Sequence, residues 1–88
     1  MSFMLERPSG RTVHCLKTEP KYFNDTLNGL KDFEVRRNDR DYQAGDLVEL
    51  VEWTPEGAGG RTLLRRIKYI LSDARFCREG YVVLGLED

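Results

Sequence analysis

The stretch PKYFNDTLNGLKDFEVRR, residues 20–37, contains the signals for a helix, its end and a strand in immediate succession. Pro20 suits the first turn of a helix, where a missing N–H removes no hydrogen bond. Five residues, all apolar or aromatic except one threonine, follow at spacings of three and four, which is the period of one helix face. They are Tyr22, Phe23, Thr26, Leu27 and Leu30. Asn28-Gly29 then ends the predicted helix, because glycine adopts the left-handed conformation of a C-terminal cap without strain.

The segment Lys31–Arg37 is predicted as a strand that follows this helix directly. Side chains of neighbouring strand residues point to opposite faces. We expect Phe33 and Val35 to face the core. Glu34 and Arg36 then share the other face, about two residues apart, and are close enough to form an ion pair.

Four further segments are predicted as strands. Residues 12–18 alternate between two faces, with His14, Leu16 and Thr18 on one of them. Residues 46–54 and 62–71 are rich in Val, Leu and Ile and flank the turn-forming run 55–60, which predicts a hairpin. Residues 81–86 close the domain as a last strand.

One helix after the first strand and four strands with short links predict an α+β fold that is mostly β. A small sheet avoids exposed edges best by curling into a barrel. We therefore expect a small five-stranded mixed β-barrel, with the helix at one mouth.

The length of 88 residues, 10.2 kDa, supplies enough apolar surface for one domain. Residues 1–11 show no periodicity and are predicted to be a flexible lead-in to a single domain over residues 12–88. Hydrophobic residues make up 40% of the chain and charged residues 33%, which argues against a membrane protein. The first ten residues lack the apolar run of a signal peptide, so a cytoplasmic location is expected.

Two cysteines, Cys15 and Cys77, and the single histidine His14 match no known zinc-ligand spacing. We expect both cysteines to be reduced, and we expect no metal and no cofactor.

The formal net charge is −1, from 14 basic and 15 acidic residues, so the chain as a whole does not attract polyanions. The run from Gly57 to Ser72 is the one asymmetric segment, because it contains four basic residues and no acidic one. These are Arg61, Arg65, Arg66 and Lys68. They form either a solvated strand face that protects an edge or a surface for a polyanion.

The spacing of Gly29, Lys31, Glu34 and Arg36 resembles the G-x-K-x-x-E-x-R signature of the ASCH domains, which belong to the PUA-like barrel superfamily. The resemblance spans about residues 12–86 and extends to a small uncharacterised ASCH-related family of bacterial and phage proteins. Its other segments are His14–Lys17, Pro20–Phe23, Phe33–Arg40, Gly45-Asp46, Ile67–Leu71 and Gly80–Leu84.

This resemblance implies a partial barrel whose cleft is lined by the signature residues and binds RNA or a nucleotide. Some ASCH proteins are amidohydrolases of acylated cytidine, in which the signature lysine works with a threonine three residues later. That position is Glu34 in this chain. The amidase chemistry therefore does not transfer directly, although a hydrolytic role on RNA or a modified nucleoside stays open.

Lys31, Glu34 and Arg36 are the main candidate site residues. Lys31 suits a phosphate and could act in acid–base chemistry, and Arg36 offers a planar fork for a phosphate or a base. Glu34 could accept protons from the amino edge of a base, act as a general base or orient Arg36. The structural alternative is a Glu34–Arg36 ion pair on an exposed strand, worth at most ~1 kcal/mol.

Four more residues are candidates for ligand binding: His14, Lys17, Asn38 and Arg40. A lone histidine is more often a hydrogen-bonded structural residue, and Asn-Asp pairs are common in plain turns. Among the aromatic residues, most are expected in the core. Tyr42 is the best candidate for an exposed stacking residue, because its neighbours are polar.

The sequence therefore supports two main hypotheses and a third that has no dedicated motif. The first is a binding module for RNA or a nucleotide, with a basic cleft around Lys31 and Arg36 and a monomer as a plausible state. The second is a small hydrolase in which Lys31 and Glu34 form the acid–base pair. The third is a protein-interaction domain that pairs through an exposed strand edge.

Overall fold

The computed structural model describes residues 12–88, so the predicted lead-in lies outside the described residues. Five strands and one helix follow the predicted order. They are β1 (Val13–Thr18), α1 (Pro20–Leu27), β2 (Phe33–Arg37), β3 (Leu47–Thr54), β4 (Gly57–Leu71) and β5 (Tyr81–Glu87). In residues 12–88 no helix is long and apolar enough to cross a membrane.

All five strands form one mixed sheet in the order β1-β3-β4-β5-β2. The first pair, β1 with β3, is parallel, and the three other pairs are antiparallel. The sheet curls into a half-barrel with β1 and β2 as its two edges. The mostly β architecture with one short helix is therefore confirmed, whereas the barrel closes only halfway.

The core fills the concave side of this sheet. Alternate residues of β3 and β5 are buried, as expected for strands with one covered face. Phe23 of α1, which is 1% exposed, belongs to the same cluster and anchors the helix to the sheet. Burying a side chain of this size contributes about 1.5–3 kcal/mol.

The hairpin between β3 and β4 is tighter than predicted, because β4 begins at Gly57 rather than at residue 62. The turn is only Pro55-Glu56, and the Thr54 hydroxyl donates to the Gly57 carbonyl at 2.9 Å. The glycines that suggested a long turn lie in the strand itself. At Gly59 a Cβ atom would come within 3.0 Å of the Glu52 side chain. Glycine at this position thus leaves room for the Glu52 side chain.

The two faces of β2 are also opposite to the prediction. Phe33 is 42% exposed and Val35 is 56% exposed, whereas Glu34 is 4% exposed. The predicted alternation of β2 is correct, but its apolar side chains lie on the exposed face and not on the buried one. A carboxylate can face the interior here because two cations bind it, as described below.

Candidate functional site

An open cavity of about 630 Å³ lies where the end of β1, helix α1 and strand β2 meet. Its lining combines charged side chains with apolar and aromatic ones. The residues are Lys17, Thr18, Glu19, Tyr22, Asp25, Leu30, Lys31, Phe33, Glu34, Val35 and Arg36. Four predicted site residues, Lys17, Lys31, Glu34 and Arg36, are therefore brought together in one cavity.

Glu34 is the buried centre of this group. Its Oε2 atom accepts a hydrogen bond from Lys31 Nζ at 2.6 Å, and its Oε1 atom accepts one from Arg36 Nε at 3.0 Å. Each carboxylate oxygen is thus bound by a different cation, which offsets the cost of burying the charge. The arrangement differs from the weak pair on an exposed strand that was the structural alternative.

Arg36 also joins the two edge strands of the half-barrel. Its Nη2 atom donates to the backbone carbonyl of Lys17 at 2.7 Å and lies 3.3 Å from the Thr18 hydroxyl oxygen. Edge strands leave backbone groups unpaired. A side chain from β2 therefore supplies a partner that a neighbouring strand would supply in a closed barrel.

Lys31 is positioned by the way in which helix α1 ends. Gly29 has a φ of 77°, and the N–H groups of Leu30 and Lys31 both donate to the Asp25 carbonyl, at 2.8 and 3.1 Å. This cap turns the chain back toward the sheet. The Lys31 ammonium then donates to the Phe33 carbonyl at 2.7 Å as well as to Glu34.

The site retains hydrogen-bonding capacity after these contacts. An ammonium has three N–H donors, and Lys31 uses two of them with partners in residues 12–88. Over the same residues no partner is bound to Nη1 of Arg36. Each oxygen of Glu34 has a further lone pair. A ligand could therefore meet donors and an acceptor side by side.

The charge of the cavity lining is balanced. Lys17 Nζ lies 4.2 Å from the centre of the Trp53 ring. Together with Lys31 and Arg36 it makes three cations in a lining that also contains three carboxylates. The carboxylates are Glu19, Asp25 and Glu34. Recognition in this cavity therefore depends on local geometry rather than on an excess of positive charge.

Two aromatic rings flank the cations. Tyr22 is 43% exposed, and its ring centre lies 5.8 Å from Lys31 Nζ, while that of Phe33 lies 5.1 Å away. From the sequence, Tyr22 is one of the aromatic residues that could stack on bases but are mostly expected in the core, and Phe33 is expected in the core. The sequence features that could have identified them are the position of Tyr22 next to Phe23 on the helix and that of Phe33 directly before Glu34.

Three other candidates lie outside this cavity. His14 Nε2 is 2.8 Å from Asp46 Oδ2, and the pair is buried. Arg40 donates to the Cys15 carbonyl at 2.8 Å, and the backbone N–H of Asn38 donates to the Gly80 carbonyl at 2.8 Å. These contacts favour the structural interpretations of His14 and Asn38.

The prediction that Tyr42 is an exposed stacking residue is wrong. Tyr42 is 7% exposed, and its ring centre lies 4.7 Å from that of His14. Its polar neighbours Asp41 and Gln43 are hydrogen-bonded to each other at 2.9 Å, so their polarity does not require the Tyr42 ring to be exposed to solvent. Burial raises the pKa of the Tyr42 phenol.

The basic run on β4 is largely paired with carboxylates. Arg61 binds Glu52 through two nitrogens, at 3.0 and 2.7 Å, and this contact lowers the pKa of the Glu52 carboxyl. Arg66 lies 2.9 Å from Glu87, and Arg65 lies 3.4 Å from Asp88. This pattern fits the solvated strand face better than a surface for a polyanion.

Residues 12–88 contain no cluster of three or more histidine, cysteine, aspartate or glutamate side chains that could hold a metal ion. The cysteines Cys15 and Cys77 are both free thiols.

Comparison with known proteins identifies the family. A family model described as a domain of unknown function, DUF3850, matches residues 13–86. The chain belongs to the DUF3850 family. The matched region contains the half-barrel except Glu87, the last residue of β5, and it contains the whole cavity lining, so the site is part of the DUF3850 domain.

A curated relative of this DUF3850 protein comes from Escherichia phage P2. It is described as an uncharacterized 12.9 kDa protein in the GpA 3′ region, and it is 38% identical over 72 residues. The alignment covers 82% of this chain and 65% of the phage protein, so the chain spans just under two thirds of that relative. The expected relation to phage proteins is thus confirmed, whereas the relation to ASCH domains stays a prediction.

Proposed function

We propose that the cavity of this DUF3850 domain binds a nucleotide, either free or as one unit of an RNA. The observation that supports this most is the convergence of Lys31, Glu34 and Arg36 beside the rings of Tyr22 and Phe33. The resemblance of the Gly29-to-Arg36 spacing to the ASCH signature points to the same ligand class. We include a relation to the PUA-like superfamily in this proposal.

The polar groups match the edge of a nucleobase. The unused donors of Lys31 and Arg36 can bind carbonyl or ring-nitrogen acceptors, and the free lone pairs of Glu34 can accept from an exocyclic amino group. The exposed rings offer stacking surfaces, each worth about 1–3 kcal/mol per base in proteins that bind single strands. A phosphate could instead take the free donors of the two cations.

The size and charge of the cavity limit the ligand. A volume of about 630 Å³ falls within the range of ~300–1,000 Å³ that is usual for small-molecule sites. The balanced lining favours a base with one phosphate over several phosphates, because each added negative charge would also meet three carboxylates. We therefore assign the cavity to a single nucleotide unit.

Isothermal titration calorimetry with the four ribonucleoside 5′-monophosphates and the four nucleosides tests this proposal. The Lys31→Met variant removes one cation but leaves the Glu34–Arg36 pair, so the fold should remain. We expect it to weaken nucleotide binding by about tenfold or more, the value of a charge-assisted hydrogen bond. The control is Lys68→Met, because Lys68 is an exposed lysine of β4 that lies outside the cavity lining.

The proposal fails if none of the eight compounds binds the wild-type protein at low salt and short RNA does not bind either. It also fails if Lys31→Met binds as the wild type does, or if Lys68→Met weakens binding as much as Lys31→Met. Circular dichroism of both variants checks that each is folded.

A hydrolase is the second candidate, favoured by the 2.6 Å contact between Lys31 Nζ and Glu34 Oε2 beside the open cavity. Such a pair can transfer a proton during hydrolysis of a modified nucleoside or of RNA. Turnover should then be lost in Glu34→Gln. Turnover that survives this change would exclude the Lys31–Glu34 mechanism, and absence of turnover on acylated nucleosides and RNA would exclude the class.

A further inference from the structure

The convex face of β2, β4 and β5, together with Phe76 in the segment between β4 and β5, presents aromatic and apolar side chains that the cavity does not explain. We call it the outer platform and define it by Phe33, Val35, Tyr69, Phe76, Tyr81 and Val83. Tyr69 is 64% exposed, Phe76 is 72% exposed and Val35 is 56% exposed. Exposed apolar residues that occur together on one face indicate a binding surface.

The strand register places these side chains in rows. Tyr69 of β4 pairs with Gly85 of β5, which pairs with Phe33 of β2. Strands lie ~4.8 Å apart, so the Cα atoms of Tyr69 and Phe33 are separated by about 10 Å across the glycine. Gly85 has no side chain to fill this space. Tyr69 and Phe33 therefore flank the glycine in one row of the sheet.

Arginines surround the platform. The guanidinium carbons of Arg37 and Arg78 each lie 5.4 Å from the centre of the Tyr81 ring, and that of Arg75 lies 5.1 Å from the Phe76 ring. Arg75 is bound to Asp73. Arg37 and Arg78, by contrast, form no ion pair with any carboxylate in residues 12–88.

The outer platform is continuous with the cavity. Phe33 and Val35 line the cavity, and Val35 also lines a second hollow of about 350 Å³ with Phe76 and Tyr81. A chain leaving the cavity over the β2 edge would therefore cross aromatic rings and unpaired arginines without a break.

We propose that the outer platform binds the single-stranded nucleic acid that flanks the nucleotide in the cavity. This inference rests on the proposed function and makes the ligand an oligonucleotide. Bases stack on Tyr69 and Phe76, because every base has a π face, and Arg37 and Arg78 contact phosphates or stack on bases. The unpaired arginines supply the attraction to a backbone that the balanced cavity lacks.

The same observations favour nucleic acid over a protein partner. An apolar face alone would suit either. The continuity with the nucleotide cavity and the two arginines held against Tyr81 both match a polyanion with stacked bases. A second copy of the chain or another protein becomes an outcome of the test.

Fluorescence anisotropy with labelled single strands of two, four, eight and twelve nucleotides tests the inference, with RNA and DNA of the same sequence as separate arms. The variants are Tyr69→Ala and Phe76→Ala, whose side chains are largely exposed and whose loss should leave the fold intact. The control is Leu64→Ala, because Leu64 is 52% exposed and lies on β4 outside the platform. Calorimetry with a mononucleotide measures the cavity separately.

We expect affinity to rise with length beyond two nucleotides in at least one arm. Each platform variant should weaken binding of the twelve-nucleotide strand by about fivefold or more, the effect of losing one stacking ring. Mononucleotide binding should be unchanged in both variants, and Leu64→Ala should match the wild type for every ligand.

The inference is overturned if mononucleotides bind but affinity does not grow with length, or if the platform variants bind long strands as the wild type does. Nucleotide binding in the cavity would survive that result. A wild-type dimer in light scattering that Tyr69→Ala converts to a monomer would also overturn it. If neither mononucleotides nor oligonucleotides bind, the proposed function fails along with it.

Discussion

Replacing Arg36 with methionine tests whether a buried ion network closes the half-barrel. The change removes the bond to Glu34 Oε1 at 3.0 Å and the bond to the Lys17 carbonyl at 2.7 Å. Hydrogen bonds to charged groups contribute about 1.5–3 kcal/mol each. The Arg36 side chain is 23% exposed, so water recovers part of this loss. We expect a fall of about 3 kcal/mol in the free energy of unfolding.

That loss is large for a domain of this size. At ~0.05–0.15 kcal/mol per residue, 88 residues give roughly 4–13 kcal/mol in total. The melting temperature should fall by about 12–24 °C, since 1 kcal/mol corresponds to ~4–8 °C in small domains. Urea denaturation followed by circular dichroism measures the change, and an unaltered m-value would show that the same surface unfolds.

The neighbouring Arg37 provides a matched control, because it lies on the opposite face of β2 and contacts the Tyr81 ring. Arg37→Met should change stability by no more than about 0.5 kcal/mol. Combining Arg36→Met with Glu34→Leu should cost less than the sum of the single changes by about 1–3 kcal/mol, because no buried carboxylate is left. Equal stability of the Arg36 and Arg37 variants would refute the reasoning.

Three further predictions concern single titratable groups. The hydrogen bond from Arg61 lowers the pKa of Glu52 in the folded state. The ionised Glu52 therefore stabilises the fold above the ordinary carboxyl pKa of ~4.3, and this stabilisation is lost as the pH falls below that value. Acid denaturation of Glu52→Gln should lack this pH-dependent loss of stability. Burial raises the pKa of the Tyr42 phenol, so ultraviolet absorbance should show a tyrosine that titrates above the ordinary pKa of a phenol, and Tyr42→Phe should remove that step. Partial burial, followed by the hydrogen bond to Glu49, raises the pKa of the Cys15 thiol, so its alkylation by iodoacetamide near neutral pH should be slower than that of a thiol with an ordinary pKa and faster in Glu49→Gln.

The elements of the fold were largely predictable from the sequence, because period and turn chemistry act locally. Helix α1, its end at Asn28-Gly29 and all five strands follow from the spacing of apolar residues and from glycine. The start of β4 was missed because the glycine-rich run 57–60 belongs to the strand, where Gly57 and Gly60 have positive φ and Gly59 leaves room for the Glu52 side chain.

The candidate site was predictable only in part, since burial depends on contacts between distant residues. The spacing from Lys31 to Arg36 identified three groups that do meet. It could not show that Glu34 lies inside, because the cation from the helix end and the carbonyl of Lys17 come from other elements. For the same reason the sequence placed Tyr42 in solvent, although its ring packs against His14.

The nucleotide assignment is tested most directly by two-dimensional NMR of the isotope-labelled protein during titration with a ribonucleoside 5′-monophosphate. We expect the largest shift changes at the amides of Lys31 and residues 33–36 and at Tyr22, with small changes at Leu64 of β4, which lies outside the cavity lining. Saturating nucleotide that leaves the amides of residues 31–36 unmoved would contradict the account.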